Sequence, residues 1–122
     1  MTEKNEKEPQ VCKELLSSYR KKMDTDGLRL SITNHLHYTR AKEEFLATDY
    51  DKYLSLALAV RDRMVERWAK TQQAYYNKDA KRAYYLSLEF LLGRVILNNI
   101  INMNIIKETK YVIKNFGYDF KK

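Results

Sequence analysis

From Thr48 to Asn77 the chain contains neither glycine nor proline, and no other stretch constrains the fold as strongly. Its apolar residues recur at helical spacing. Tyr53, Ala57, Val60, Met64 and Trp68 form one stripe, reinforced by Leu54, Leu58 and Val65, which predicts a single amphipathic helix over residues 48–78. Its start is marked twice. Thr48 is a hydroxyl cap with the carboxylate of Asp51 three residues on, and Asp49 and Asp51 place negative charge where the helix dipole favours it. At about 1.5 Å per residue the helix reaches roughly 40 Å, more than a small domain usually needs. It is expected to cross a larger body or an interface.

The segments on either side divide by composition. Residues 1–10 are polar and charged and are expected to form a mobile tail, with too little apolar surface to offset the entropy of ordering. Residues 11–39 read as helical. Val11, Leu15, Tyr19 and Met23 share one side of a helix ending at the Asp24 to Gly27 turn cluster, and Leu28, Ile32, His35 and Leu36 share the face of a second. Residues 40–47 show no period and read as an irregular connection. The run AYYLSLEFLL, Ala83 to Leu92, is short, unbroken and aromatic, and predicts a strand over 83–91 buried on both faces. Helices follow over 94–117, with Gly117 as terminator. The expected fold class is an α/β fragment, mostly helical, with one long helix and a single buried strand. Such a strand needs neighbours for its N–H and C=O groups, and no second strand is evident, so the chain reads as part of a larger α/β protein.

Composition narrows the function classes. The 122 residues are 44% hydrophobic, enough for one ordinary domain core. The net charge of +7 is carried by mixed signs, as in Arg61, Asp62, Arg63, Glu66, Arg67 and Lys70. That alternation reads as a solvated surface and argues against a basic helical nucleic-acid binder. The lone Cys12 fits a reducing compartment. No apolar run approaches the roughly 20 residues that span a bilayer, and the chain's head has no apolar signal region, so a cytoplasmic protein without membrane contact is expected. His35 and His37 lack the further ligands a metal site needs, and no metal is expected. Trp68, Tyr75, Tyr84 and Tyr85 read as core. Ser17 and Ser18 stand before Tyr19, Arg20, Lys21 and Lys22, where a phosphate would find basic partners, as would an ordinary helix surface.

Two constellations carry chemistry. Glu89 lies inside the apolar run, where a carboxylate must be paired or wet. It faces a ligand crevice at the strand's C-terminal end or forms an ion pair with Arg94. Gln72, Gln73 and Tyr76 occupy about one helical turn and offer two amides and an aromatic face, to a planar ligand or to another part of a dimer.

The stretch RWAKTQQAYYNKDAKRAYYLSLEFLLGR, Arg67 to Arg94, together with HLHYT from His35 to Thr39, resembles the N-terminal region of the α-glucan phosphorylases. TQQAYY, DAKR and YYLSLEFLLGR match that family's pattern in order and spacing, and the likeness runs from His35 to Arg94. The resemblance implies a segment of a two-lobed α/β glycosyltransferase, usually a homodimer. Such an enzyme releases glucose 1-phosphate from the ends of glycogen or other α-1,4-glucans with orthophosphate. Its pyridoxal phosphate is held on a lysine of the C-terminal lobe, so this chain alone is expected to bind no cofactor, to carry no catalytic residue and to be inactive. Residues 11–39 then correspond to an interface and regulatory segment, and residues 40–47 to a cap. The matching glutamate lines the substrate channel, which is the role implied for Glu89. Animal members bind AMP at the subunit interface through counterparts of Gln72, Gln73 and Tyr76, closed by a partner segment matching the surroundings of Glu43 and Leu46. Here that segment reads RAKEEFLATDY and departs from the animal pattern. A non-catalytic module docking on a full-length phosphorylase remains the alternative.

Overall fold

The computed structural model describes residues 22–87 and 92–117. Among the described residues there are four α-helices: α1 (Thr25–Asn34), α2 (Asp49–Asn77), α3 (Ile96–Asn102) and α4 (Ile106–Asn115). A π-helical turn, His35–Thr39, prolongs α1, and a 3₁₀ turn, Glu44–Leu46, interrupts the connection to α2.

Asp24 opens α1 as its N-cap, accepting the Gly27 N–H at 2.8 Å. The Asp24–Gly27 cluster is thus the capped first turn of α1, because an Asx side chain that can close a turn can equally cap a helix. Gly27 is required by close approach: a Cβ there would lie 2.5 Å from that of Lys22. One face of α1 and the turn after it buries Leu28, Ile32 and Leu36.

Thr48 and Asp51 form a reciprocal capping box at the head of α2. The helix then buries Ser55, Leu56, Ala59, Val60 and Arg63, while Tyr53, Met64 and Trp68 stay exposed. The expected stripe is therefore rotated. Small Ser55 and Ala59 let α1 and α3 approach closely, and the bulkier Tyr53 and Trp68 are displaced to the outside. The first half of α2 completes a core with Leu28 and Ile32 of α1, Ile100 of α3, Met103 and Ile105 of the α3–α4 corner, and Val112 and Ile113 of α4. Each such side chain contributes roughly 1.5–3 kcal/mol when fully buried. Asn104 turns that corner at φ 59, Gly117 follows α4 at φ 74, and Lys52 ties the two ends of the bundle by donating to the Phe116 carbonyl at 3.2 Å.

The expected α/β fragment with one buried strand is not what forms. Among the described residues there is no strand: residues 83–87 run without regular structure, with Tyr84 83%, Tyr85 82% and Leu86 95% exposed. A strand requires a neighbouring backbone to satisfy its N–H and C=O groups, and no described segment lies beside this one. Residues 88–91 of the expected strand lie outside the described residues, as do residues 1–21 with Cys12, Ser17 and Ser18. The expected core aromatics are also corrected, since Trp68 and Tyr75 are exposed at 64% and 47%.

Candidate functional site

Polar side chains converge where α1, its π-helical turn and the first half of α2 meet. The wider π turn rotates His35 toward α2, where its Nε2 lies 2.9 Å from Asp62 Oδ2 and its Nδ1 3.1 Å from Thr39 Oγ1. Such turns inside helices recur at functional positions. His37 Nδ1 stands 3.6 Å from Glu43 Oε1. Among the described residues no group of three or more His, Cys, Asp or Glu side chains is placed to hold a metal ion.

Asp51 is the centre of this junction. Its Oδ2 accepts the Thr48 hydroxyl at 2.7 Å and the Thr48 N–H at 3.1 Å, while its Oδ1 accepts Arg40 Nη2 at 2.8 Å and Nε at 3.0 Å. The Thr48 hydroxyl, then the Arg40 side chain, then the Thr48 N–H hold this carboxyl down at about 2. Arg40 also lies over the Tyr50 ring, 5.7 Å from its centroid. Beyond the cap role of Asp51, the sequence does not mark the Arg40–Asp51 pair, because two residues separated by an irregular connection have no periodic signature.

Arg63 belongs to a charge run whose alternating signs suggest a solvated surface, yet it is buried, 1% exposed. Its Nη2 and Nε donate to the Lys22 carbonyl at 2.7 and 3.2 Å, and its Nη1 to the Ala59 carbonyl at 2.8 Å. Burial pushes the guanidinium below its ordinary value, opposed by Asp62, Asp24 and Glu66. Carbonyl oxygens thus take the place of a carboxylate partner, and the chain entering α1 is pinned to the middle of α2.

The amide and aromatic cluster lies at the other end of α2. Tyr76 is 71% exposed, Gln72 is half-buried, and Gln73 donates to Asn77 Oδ1 at 2.9 Å. Glu43 and Leu46 are exposed on the 3₁₀ turn before α2. Between Thr48 and Gln72 the helix rises roughly 35 Å, so one chain does not bring the two groups together. Glu89 lies outside the described residues. Arg94, its alternative ion-pair partner, lines an open apolar groove with Tyr53, Met64 and Ile96. No described helix is long and apolar enough to cross a membrane.

No family model matches the chain. Curated proteins do. The brain form of glycogen phosphorylase from Bos taurus is 44% identical over 98 residues, which cover 80% of this chain and 12% of that protein. The liver form from Homo sapiens is 45% identical over 94 residues, covering 77% and 11%, and the muscle form from Ovis aries is 43% identical over the same length and shares. The chain spans only 11–12% of the length of these relatives. Within that span it belongs to the glycogen phosphorylase family, as a segment of it.

Proposed function

We propose that this chain serves, within a glycogen phosphorylase, as the segment that carries a subunit contact and a nucleotide-responsive helix face. The whole protein is a cytoplasmic homodimer that releases glucose 1-phosphate from glycogen or other α-1,4-glucan ends by attack of orthophosphate. The observation that carries the reading is the 42–46% identity to brain, liver and muscle forms of one enzyme. When bound in such an enzyme, pyridoxal phosphate supplies a phosphate for proton transfer. The described lysines do not fit it. Lys52 donates to the Phe116 carbonyl and the others are exposed, whereas a Schiff-base lysine needs an enclosed site. No catalytic step is assigned to this chain.

For AMP, the amides of Gln72 and Gln73 and the ring of Tyr76 form one wall, and Glu43 and Leu46 of a second copy form the other. The rise of α2 between these groups supports a shared site over a single-chain one. Glu89 is assigned to the glucan channel of the whole enzyme.

Replacing the matched stretch of the bovine brain-form enzyme with this chain tests the reading. The expected chimera is dimeric and forms glucose 1-phosphate, while the isolated chain forms none. A folded, dimeric chimera without phosphorolysis overturns it. Within the chimera, Tyr76→Ala is expected to weaken activation by AMP at unchanged basal turnover. Glu89→Gln is expected to lower turnover at an unchanged melting temperature; a lowered melting temperature at full turnover assigns Glu89 to an ion pair instead.

A further inference from the structure

The connection between the π turn and α2 is held by few contacts and is strained. Ala41 sits at φ 51, in the left-handed region that a residue with a Cβ disfavours. The five-residue π turn just before it is itself an uncommon helical form. Against this, residues 41–46 are all exposed and only Ala47 is half-buried, so no apolar burial holds the segment down. Among the described residues its backbone bonds outside the segment once, through the Lys42 N–H to the Leu36 carbonyl at 3.1 Å. The remaining bonds, Leu46 N–H to Glu43 and Ala47 N–H to Glu44, are internal. What fastens it is Arg40, with two N–H groups on Asp51 Oδ1 and its guanidinium over Tyr50, helped by the long contact of His37 with Glu43.

We propose that Arg40 is the latch of a two-position strap: residues 41–47 lie against the head of α2 while Arg40 grips Asp51, and swing free when that grip is broken. The two oxygens of Asp51 divide the work. Oδ1 takes Arg40 alone, and Oδ2 takes both Thr48 groups that cap α2. Releasing Oδ1 therefore opens the strap without uncapping the helix. The strain at Ala41 favours opening, and the charge-assisted contact to a carboxylate that is 5% exposed favours closure. Opening displaces Glu43, Phe45 and Leu46 together, so Arg40 is a positioning residue for whatever those side chains meet. The latch rests on contacts within this chain and stands whether or not AMP is the ligand.

Amide hydrogen exchange on the intact chain, without nucleotide, tests this. In Arg40→Leu the amides of Lys42, Leu46 and Ala47 are expected to exchange at least about tenfold faster, the effect of losing a hydrogen bond to a charged group. Those of Leu56, Ala59 and Val60 in the same helix are expected to keep their rates. Ala41→Asn, which tolerates the left-handed conformation, is expected to slow the strap amides below wild type. If Arg40→Leu does not fold, Arg40→Lys keeps the charge but loses the paired contact, and must accelerate the same three amides to a smaller extent. Acceleration spread equally over strap and helix amides makes Arg40 a general stabiliser and overturns the latch. Unchanged strap amides in the Arg40 variants, or no slowing in Ala41→Asn, overturns it as well.

Discussion

The two halves of α2 share one continuous helix and a similar residue mixture, yet they live in different environments. From Asp51 to Arg63 the helix is built into a core, with Ser55, Ala59, Val60 and Arg63 at 0–2% exposure. From Met64 to Asn77 it stands clear, and Val65, Trp68, Tyr75 and Tyr76 are 44–71% exposed. The difference is one of neighbours. α1 and α3 pack on the first half, and the second meets no comparable surface among the described residues. Helical propensity and local pairs such as Lys70 to Glu66 at 2.9 Å carry the outer half, at only a few tenths of a kcal/mol per pair. The amide and aromatic cluster proposed to meet AMP stands on this uncovered half, as a surface awaiting a partner must.

Substitutions in the two halves test that contrast most directly. Leu56→Ala is expected to destabilise the chain by about 2–5 kcal/mol in denaturant titration, the usual effect of truncating a buried leucine. Trp68→Ala in the isolated chain is expected to stay within about 0.5 kcal/mol. Comparable losses at both positions break the contrast. In the phosphorylase chimera, where the outer half has the rest of the enzyme to meet, the same Trp68→Ala is expected to become clearly destabilising.

A smaller effect, confined to low pH, belongs to Asp51. Its carboxyl is lowered from 3.8 to about 2 in the fold, so the stability it supplies is present in full above the unfolded value. It is lost as pH falls through about 3.8 toward about 2. Acid titration of wild type and Asp51→Asn should therefore show a stability difference at pH 5 that shrinks across that window. A difference that stays constant with pH places the effect in packing.

Ser55 sharpens the comparison from the buried side. Its Oγ is the one buried side-chain polar atom among the described residues without a hydrogen-bond partner, at 0% exposure. Ser55→Ala is expected to be neutral or to stabilise by about 1 kcal/mol, since an unsatisfied buried hydroxyl carries a desolvation penalty. A loss of stability on this substitution points to a buried water or partner at Ser55. The smallest effect is expected at the exposed run: Tyr85→Ser in the isolated chain should shift stability by less than about 0.5 kcal/mol.

Local chemistry was legible in the residues themselves. The hydroxyl of Thr48 with a carboxylate three residues on makes a capping box in any context, because both groups lie within one turn. A glycine beyond the last apolar residue of α4 adopts φ 74 for the same local reason. The segments that resemble the phosphorylases were likewise legible, and the curated relatives agree with them. Contacts between elements were not. Which side of α2 turns inward depends on the fit of Ser55 and Ala59 against α1 and α3, so the stripe from Tyr53 to Trp68 meets the core at Val60 but leaves Tyr53, Met64 and Trp68 outside it. The run from Ala83 reads as a strand because its residues suit one, but strand formation needs a second backbone, and among the described residues none pairs with it. Arg40 with Asp51, His35 with Asp62 and Arg63 with the Lys22 carbonyl join residues 11, 27 and 41 positions apart. No periodicity records such pairs; only the packing of α1 and its turn against α2 brings them within hydrogen-bonding distance.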